Sequence, residues 1–82
     1  MSQMEKLLKR FLLKPESIHY SDLERILVSL GFEKIRAKGS HVKWKHHQLR
    51  NDIVIPVHRN ECKEFYKQQV CVQIRPLIKK EI

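Results

Sequence analysis

Hydrophobic residues recur at helical spacing in the first third of the chain, where two helices are predicted. The first carries an apolar stripe of Leu7, Leu8, Phe11 and Leu12. Ser2 and Glu5 have the spacing of a capping box, in which two side chains satisfy free backbone N–H groups at a helix start. Pro15 predicts that this helix ends before it, because the residue preceding a proline is pushed out of the helical region.

The second helix is predicted by an apolar face made of Leu23, Ile26, Leu27 and Leu30. Ser21 and Glu24 repeat the capping-box spacing, and Asp22 adds negative charge near the positive helix start. Gly31 is expected to end the helix in the left-handed conformation that glycine adopts readily.

After Gly31 the hydrophobic period becomes two, which predicts a meander of three antiparallel strands. The strands are expected at residues 33–38, 41–45 and 52–57, with Gly39-Ser40 and the polar segment 46–51 as connections. A last helix, beginning between residues 61 and 67, is predicted by the spacing of Tyr66, Val70, Ile74, Leu77 and Ile78. Pro76 is expected to kink this helix or end it early, because proline lacks a backbone donor.

Alternation along the strands divides their side chains between two faces of the sheet. One face is expected to pack on the helices and holds Val42, Trp44, Ile53, Ile55 and Val57. The opposite face then points to solvent and holds His41, Lys43, Lys45 and His58. Trp44 is accordingly predicted to be a core residue rather than a platform on which RNA bases stack.

The predicted elements give an α+β fold with a three-stranded antiparallel sheet packed on helices. The order helix, three strands, helix is that of a double-stranded-RNA-binding domain (dsRBD), here with an extra helix in front. A length of 82 residues suits a single domain, with the extra N-terminal helix at residues 1–17 and the core at residues 20–78.

Charge narrows the choice of partner. Lys and Arg number 17 against 9 Asp and Glu, which gives a net charge of +8. This excess favours capture of nucleic acid or of an acidic protein over an ordinary soluble basic protein. Apolar runs stay well short of the roughly 20 residues that span a bilayer, and the start lacks a signal segment. A cytoplasmic protein without membrane contact is expected.

Cys62 and Cys71 are predicted to be free thiols, since two cysteines without a signal segment rarely form a disulfide framework. A zinc site could be written from His58 and Cys62 with Cys71 or His46. The spacing of paired zinc ligands is absent, so neither a metal nor another cofactor is predicted.

Three short motifs carry a resemblance to a known family. Lys38-Gly39-Ser40-His41 opens the second strand, Ile55-Pro56-Val57-His58 closes the third, and Leu30-Gly31-Phe32 precedes the first. In this arrangement the chain resembles the HicA toxins of bacterial toxin–antitoxin modules over residues 20–78. The resemblance implies a ribonuclease that degrades messenger RNA and is silenced by a HicB-type antitoxin. It also implies that His41 is the catalytic residue, although Val42 stands where many members have a second histidine.

The chemistry of metal-independent RNA cleavage fits these residue types. Histidine titrates near neutrality and therefore serves as base for the 2′-hydroxyl or as acid for the leaving oxygen. His41 is predicted to do so, with His58 as a possible second acid or base; His58 equally fits a helix cap or an exposed position. RNA contacts are predicted for Lys38, Gly39, Ser40, Lys43 and Lys45. The alternatives without a function in RNA cleavage are a turn-stabilising Ser40, a solvent-exposed lysine face, and loop positions for His46 and His47.

Two other functions compete with a toxin ribonuclease. The first is a non-catalytic RNA-binding domain of dsRBD type, which would place a lysine cluster at the start of its last helix. The region around Glu61 to Glu64 is mixed in charge, which weakens this alternative. The second is a protein-interaction module whose basic face docks an acidic partner.

Overall fold

The computed structural model describes residues 2–36 and 38–78 and confirms the α+β fold. Three helices surround one side of a three-stranded antiparallel sheet of order β1-β2-β3. The helices are α1 (Gln3–Leu13), α2 (Tyr20–Ser29) and α3 (Glu64–Ile78), with a short 3₁₀ turn at Pro15–Ser17; the strands are β1 (Glu33–Arg36), β2 (His41–Lys45) and β3 (Ile53–Pro56).

The N-terminal helix α1 begins and ends as predicted. The Ser2 side chain accepts a hydrogen bond from the Glu5 N–H, which completes the capping box, and the helix stops before Pro15. Phe11 is fully buried in the common core. The free carbonyl of Leu12 near the helix end accepts a hydrogen bond from Arg75 Nη2 at 3.3 Å, so α1 is joined to α3.

The start of α2 differs from the predicted capping box. The helix begins at Tyr20, so Ser21 lies inside its first turn, and the N-cap residue His19 makes no side-chain capping bond. The end of α2 matches the prediction, because Gly31 adopts a φ of +94° directly after the helix. The carboxylate of a distant residue, Glu61, accepts a hydrogen bond from the free Tyr20 N–H at the helix start instead.

The register of the sheet confirms the predicted meander but shortens two strands. Val42 lies opposite both Arg36 and Ile55, and Trp44 lies opposite both Lys34 and Ile53. Strand β1 ends at Arg36 rather than Lys38, and Ala37 lies outside the described residues. Strand β3 spans four residues, Ile53–Pro56, and the Val57 N–H just beyond it donates to the Ser40 carbonyl at 2.9 Å, which extends the pairing with the start of β2.

The alternation of faces is confirmed. Trp44, at 1 % exposure, is buried together with Ile53 and Ile55. Among the residues that the helices add to this core are Phe11, Leu23, Ile26, Leu27, Val70 and Ile74. Val42 and Val57 pack against the edge of this cluster. Trp44 is therefore a core residue, as predicted.

Helix α3 begins within the predicted window but does not end early. It continues through Pro76 to Ile78. Pro76 cannot donate to the carbonyl four residues earlier, that of Val72, yet both residues lie on the exposed side of the helix. Water reaches this side, which explains why the proline is tolerated there. Across residues 2–36 and 38–78, no helix is long and apolar enough to cross a membrane.

Candidate functional site

An open cleft of about 910 Å³ lies at the end of the sheet where β2 begins. Its walls come from the β1–β2 hairpin, the start of α2 and the turn between β3 and α3. The charged and polar residues that line it are His19, Tyr20, Ser21, Glu24, Lys34, Arg36, Ser40, His41, Arg59, Asn60 and Glu61. Three long cations and two histidines thus converge on one concave surface, which suits a polyanionic ligand.

His41 is the first residue of β2 and lines this cleft. Its backbone is fixed from two sides, since it lies opposite Pro56 in the ladder and its N–H donates to the Lys38 carbonyl at 3.4 Å. Its side chain is exposed and makes no hydrogen bond or ion pair with any residue that the structure describes. An imidazole with both nitrogens free, on a fixed backbone, is available for proton transfer.

Gly39 and Ser40, for which RNA contacts are predicted, line the cleft beside His41. Gly39 adopts a φ of +69°, and a Cβ at this position would meet nothing within 4 Å. The backbone around it is therefore open to a ligand as bulky as a phosphate. Lys38 is exposed next to this turn but does not line the cleft.

The cations of the cleft are not the lysines that the sequence suggested. Lys43 and Lys45 lie on the outer face of β2, away from the cleft. Lys34 and Arg36 line it instead, because their register with Trp44 and Val42 places them on the helix-facing side of the sheet. Lys34 also pairs with Glu24 of α2 at 3.0 Å. The alternation along β1 was the available signal, but no role was predicted for its two cations.

A third cation, Arg59, is presented by a strained turn. Arg59 and Asn60 both have positive φ values, 52° and 63°. His58 and Glu61 close the turn through two backbone hydrogen bonds of 2.8 and 3.0 Å. Arginine adopts the left-handed region at a cost of roughly 1–2 kcal/mol, so other contacts must hold this turn in place.

Those contacts come from the Glu61 carboxylate. It accepts hydrogen bonds from the N–H of Tyr20 at 3.1 Å, from the N–H of Cys62 at 3.0 Å and from Lys67 Nζ at 2.9 Å. Lys67 is buried and also donates to the Ile18 carbonyl at 2.8 Å. Glu61 thus caps α2 from 41 residues away in the sequence.

The ionisation of Glu61 follows from these donors. Partial burial alone would raise the pKa of its carboxyl, but Lys67 and the two backbone N–H groups outweigh burial and lower the pKa to about 2. Glu61 is therefore a fixed negative charge at neutral pH.

His19 is a cleft residue that the sequence analysis missed. It precedes α2, its side chain is 83 % exposed, and its Nδ1 lies 3.6 Å from Oε2 of Glu61. The signal for its role is tertiary, because Glu61 reaches it across the fold. A histidine in the short connection between two helices carries no local sign of function.

The other three histidines lie elsewhere. His58 lines a separate depression of about 350 Å³ with Pro56, Lys63 and Tyr66. His46 lies in the loop between β2 and β3, as predicted, but its side chain is only 6 % exposed and is therefore buried against the fold. His47 is exposed and stacks on His46 with ring centroids 4.6 Å apart.

Other titratable groups near the cleft are held neutral. Burial raises the pKa of the Tyr20 phenol, which therefore stays protonated. Burial likewise raises the pKa of the Cys62 thiol, with Lys67 opposing and Glu61 adding to the effect. Both cysteines are free thiols, as predicted. Within the described part of the chain, no three His, Cys, Asp or Glu residues are grouped so that they could hold a metal ion.

Comparison with known proteins supports the family resemblance that the sequence motifs indicate. The family model described as the HicA toxin of bacterial toxin–antitoxin systems matches residues 20–75, which include α2, the whole sheet and most of α3. This segment is more than half of the chain, and His19 lies one residue before it. Searches of curated proteins and of solved structures found no match.

Proposed function

The chain belongs to the HicA toxin family of bacterial toxin–antitoxin systems, and on this premise we propose that it is an endoribonuclease that cleaves messenger RNA. His41 acts in acid–base catalysis without a metal ion. The observation that carries the proposal is the position of His41, exposed and without a side-chain partner among the described residues, in a cleft lined by Lys34, Arg36 and Arg59. A cytoplasmic location is part of the same proposal.

The proposed reaction uses the 2′-hydroxyl of RNA as its nucleophile. His41 accepts the 2′-hydroxyl proton while the 2′-oxygen attacks the neighbouring phosphorus. The cations of the cleft attract the phosphate and stabilise the charge that develops on it. Gly39 and Ser40 border the same space, where backbone and hydroxyl groups reach a phosphate oxygen. Lys38, Lys43 and Lys45 extend the basic surface beyond the cleft and are proposed to contact more distant phosphates.

A non-catalytic RNA-binding domain of dsRBD type is less well supported. Such a domain places lysines at the start of its last helix, against the phosphates. In this chain Lys67, in the first turn of α3, is buried and bonded to Glu61 and Ile18. It is therefore withheld from RNA, and Glu64 at the helix start repels phosphate.

The partner that restrains the toxin is proposed to be an antitoxin of HicB type. An acidic surface on this partner complements the cations of the cleft, and occupation of the cleft silences His41. A complex in which the partner leaves both the cleft and the outer face of β2 open would contradict this part of the proposal.

The decisive experiment compares the purified chain with His41→Ala on a long single-stranded RNA in the presence of EDTA. The parent is expected to cleave, and His41→Ala to lose about 100-fold or more of the rate, the usual contribution of one acid or base. His47→Ala is the matched control, since His47 is exposed but lies at the opposite end of β2. Equal cleavage by parent and His41→Ala would exclude His41 as catalyst. RNA binding by the parent without cleavage would favour the dsRBD alternative.

A further inference from the structure

We propose that His19 is a second catalytic residue, which donates the proton to the leaving 5′-oxygen while His41 accepts the proton of the 2′-hydroxyl. This inference rests on the function proposed above. It assigns the acid of the reaction to a residue outside the segment that the family model matches.

The first argument is placement. The chain has five histidines, the structure describes all five, and only His19 and His41 line the cleft. They belong to different walls, since His19 precedes α2 and His41 opens β2. In-line displacement at phosphorus needs base and acid on opposite sides of the phosphate. Two histidines on separate walls of one cleft allow this arrangement, whereas His58 lines another depression.

The second argument is the local chemistry of His19. Its imidazole makes no capping bond to α2 and is free to reach a ligand. Nδ1 lies 3.6 Å from the Glu61 carboxylate, which is itself fixed by Lys67 and by the N–H of Tyr20. A carboxylate on one side of an imidazole orients the ring and balances the charge of its protonated form, as a proton donor requires. His41 has no such partner among the described residues, which suits it to the role of base.

The proposed step conserves atoms and charge. The 2′-oxygen forms a bond to phosphorus, and its proton passes to His41. The bond from phosphorus to the 5′-oxygen breaks, and that oxygen takes a proton from the His19 imidazolium. The products are a 2′,3′-cyclic phosphate and a free 5′-hydroxyl, and no other reactant enters.

The test uses His19→Asn, because asparagine is a favoured N-cap residue and preserves or improves the start of α2. The expected result is a loss of about 100-fold or more in cleavage rate with unchanged thermal stability. The acidic group required in the pH–rate profile should disappear in this variant. The groups that face this region and shape the profile are Glu24 of α2, Lys34 and Arg36 of β1, His41 of β2, Arg59 and Glu61 of the turn, and Lys67 of α3.

A second substrate separates proton donation from binding. RNA in which sulfur replaces the bridging 5′-oxygen releases a thiolate, which leaves without protonation because it is a weak base. On this RNA, His19→Asn should approach the parent rate to within about tenfold, whereas His41→Ala should stay impaired because the base is still needed. His47→Asn is the control and should match the parent on both substrates.

The outcomes distinguish this inference from the function on which it rests. Normal cleavage of ordinary RNA by His19→Asn, with His41→Ala inactive, would overturn the role of His19 alone. An equal defect of His19→Asn on both substrates would overturn proton donation and leave a binding role. Failure of the parent to cleave either RNA would overturn the ribonuclease function and this inference with it.

Discussion

Strand β2 has a histidine at each end, and one of the two side chains is exposed whereas the other is buried. His41, at the start, is exposed and makes no side-chain hydrogen bond to the described residues. His46, directly after the strand, is buried; its Nε2 donates to the Leu30 carbonyl at 2.9 Å and its Nδ1 accepts from the Gln48 N–H at 3.0 Å. The same residue type is thus a structural bridge at one end and a free group at the other.

The difference comes from what surrounds each end of the sheet. At the His46 end, the imidazole ring is packed against neighbouring residues. Its centroid lies 4.8 Å from that of the Phe32 ring, and its Nε2 would lie 3.5 Å from a Cβ added to Gly31. At the His41 end cations converge and the helix-facing side of the sheet stays open. Satisfaction of both ring nitrogens, rather than exposure alone, marks the structural histidine.

The largest expected difference between the two ends is in stability. His46→Ala should lower the free energy of unfolding by about 2–4 kcal/mol, because it removes a buried ring and leaves the Leu30 carbonyl and the Gln48 N–H unpaired. His41→Ala should change it by less than about 0.5 kcal/mol, as exposed substitutions usually do. Urea unfolding monitored by Trp44 fluorescence measures both.

A graded variant sharpens this prediction. His46→Gln keeps a donor for the Leu30 carbonyl but cannot also accept from Gln48, so its cost should fall between those of the parent and His46→Ala. If His46→Ala and His41→Ala were equally stable, the structural role of His46 would be refuted.

The second prediction concerns the anchor of the cleft. Lys67→Met keeps the length and packing of the buried side chain but removes the ammonium that pairs with Glu61 and donates to the Ile18 carbonyl. The free energy of unfolding should fall by about 1–3 kcal/mol, less than for a fully buried pair because Glu61 is 41 % exposed. Lys63→Met, at an exposed lysine, is the control and should stay within about 0.5 kcal/mol. A neutral Lys67→Met would show that the anchor contributes nothing to stability.

These two residues also show where reasoning from the sequence ends. The periodicity of hydrophobic residues predicted the helices, the meander and the faces of the strands, because an apolar stripe is a local property of the sequence. The roles of His46 and Lys67 depend in part on contacts to carbonyls 16 and 49 residues away in the sequence. Nothing in the local sequence distinguishes a buried histidine or lysine that has a partner from an exposed one.

The residues of the candidate site likewise divide into those that the local sequence predicts and those that only tertiary contacts bring to the cleft. His41, Gly39 and Ser40, which line the cleft, were predicted as site residues because they are adjacent in a motif at a predicted turn. Arg59 and His19 were missed because they enter the cleft through a strained turn and a helix start that Glu61 ties together. The capping box expected at Ser21 was wrong for a related reason, since a distant carboxylate took over the capping of α2.

The third prediction compares the glycines at the two ends of the sheet. Gly31 has a φ of +94°, outside the left-handed region open to residues with a Cβ, whereas Gly39 at +69° lies at its edge. Gly31→Ala should therefore cost roughly 2 kcal/mol and Gly39→Ala roughly 1 kcal/mol. Gly39→Asn should recover part of that loss, because asparagine tolerates this conformation. Thermal unfolding of the three variants tests the ranking, and an equal cost at both glycines would contradict it.

The smallest expected effect is a pH dependence confined to the His41 end. The pKa of Glu61 is about 2 in the folded chain against a usual value of 4.5, so its charge stabilises the fold above pH 4.5. This contribution is lost as the pH falls from 4.5 towards 2, where the folded chain also becomes protonated. Because the carboxylate is 41 % exposed, screening by water limits the contribution to about 1 kcal/mol or less.

Glu61→Gln isolates the contribution of the Glu61 charge to stability, since glutamine keeps a hydrogen-bond acceptor but removes the charge. The parent should be more stable than Glu61→Gln at about pH 7, and the difference should shrink below about pH 4 as the parent is protonated. Other carboxylates titrate in both proteins and cancel in the difference. A constant difference down to about pH 2.5 would mean that Glu61 acts through its hydrogen bonds alone and not through its charge. In that case the electrostatic contrast between the two ends of the sheet would rest on the cations of the cleft.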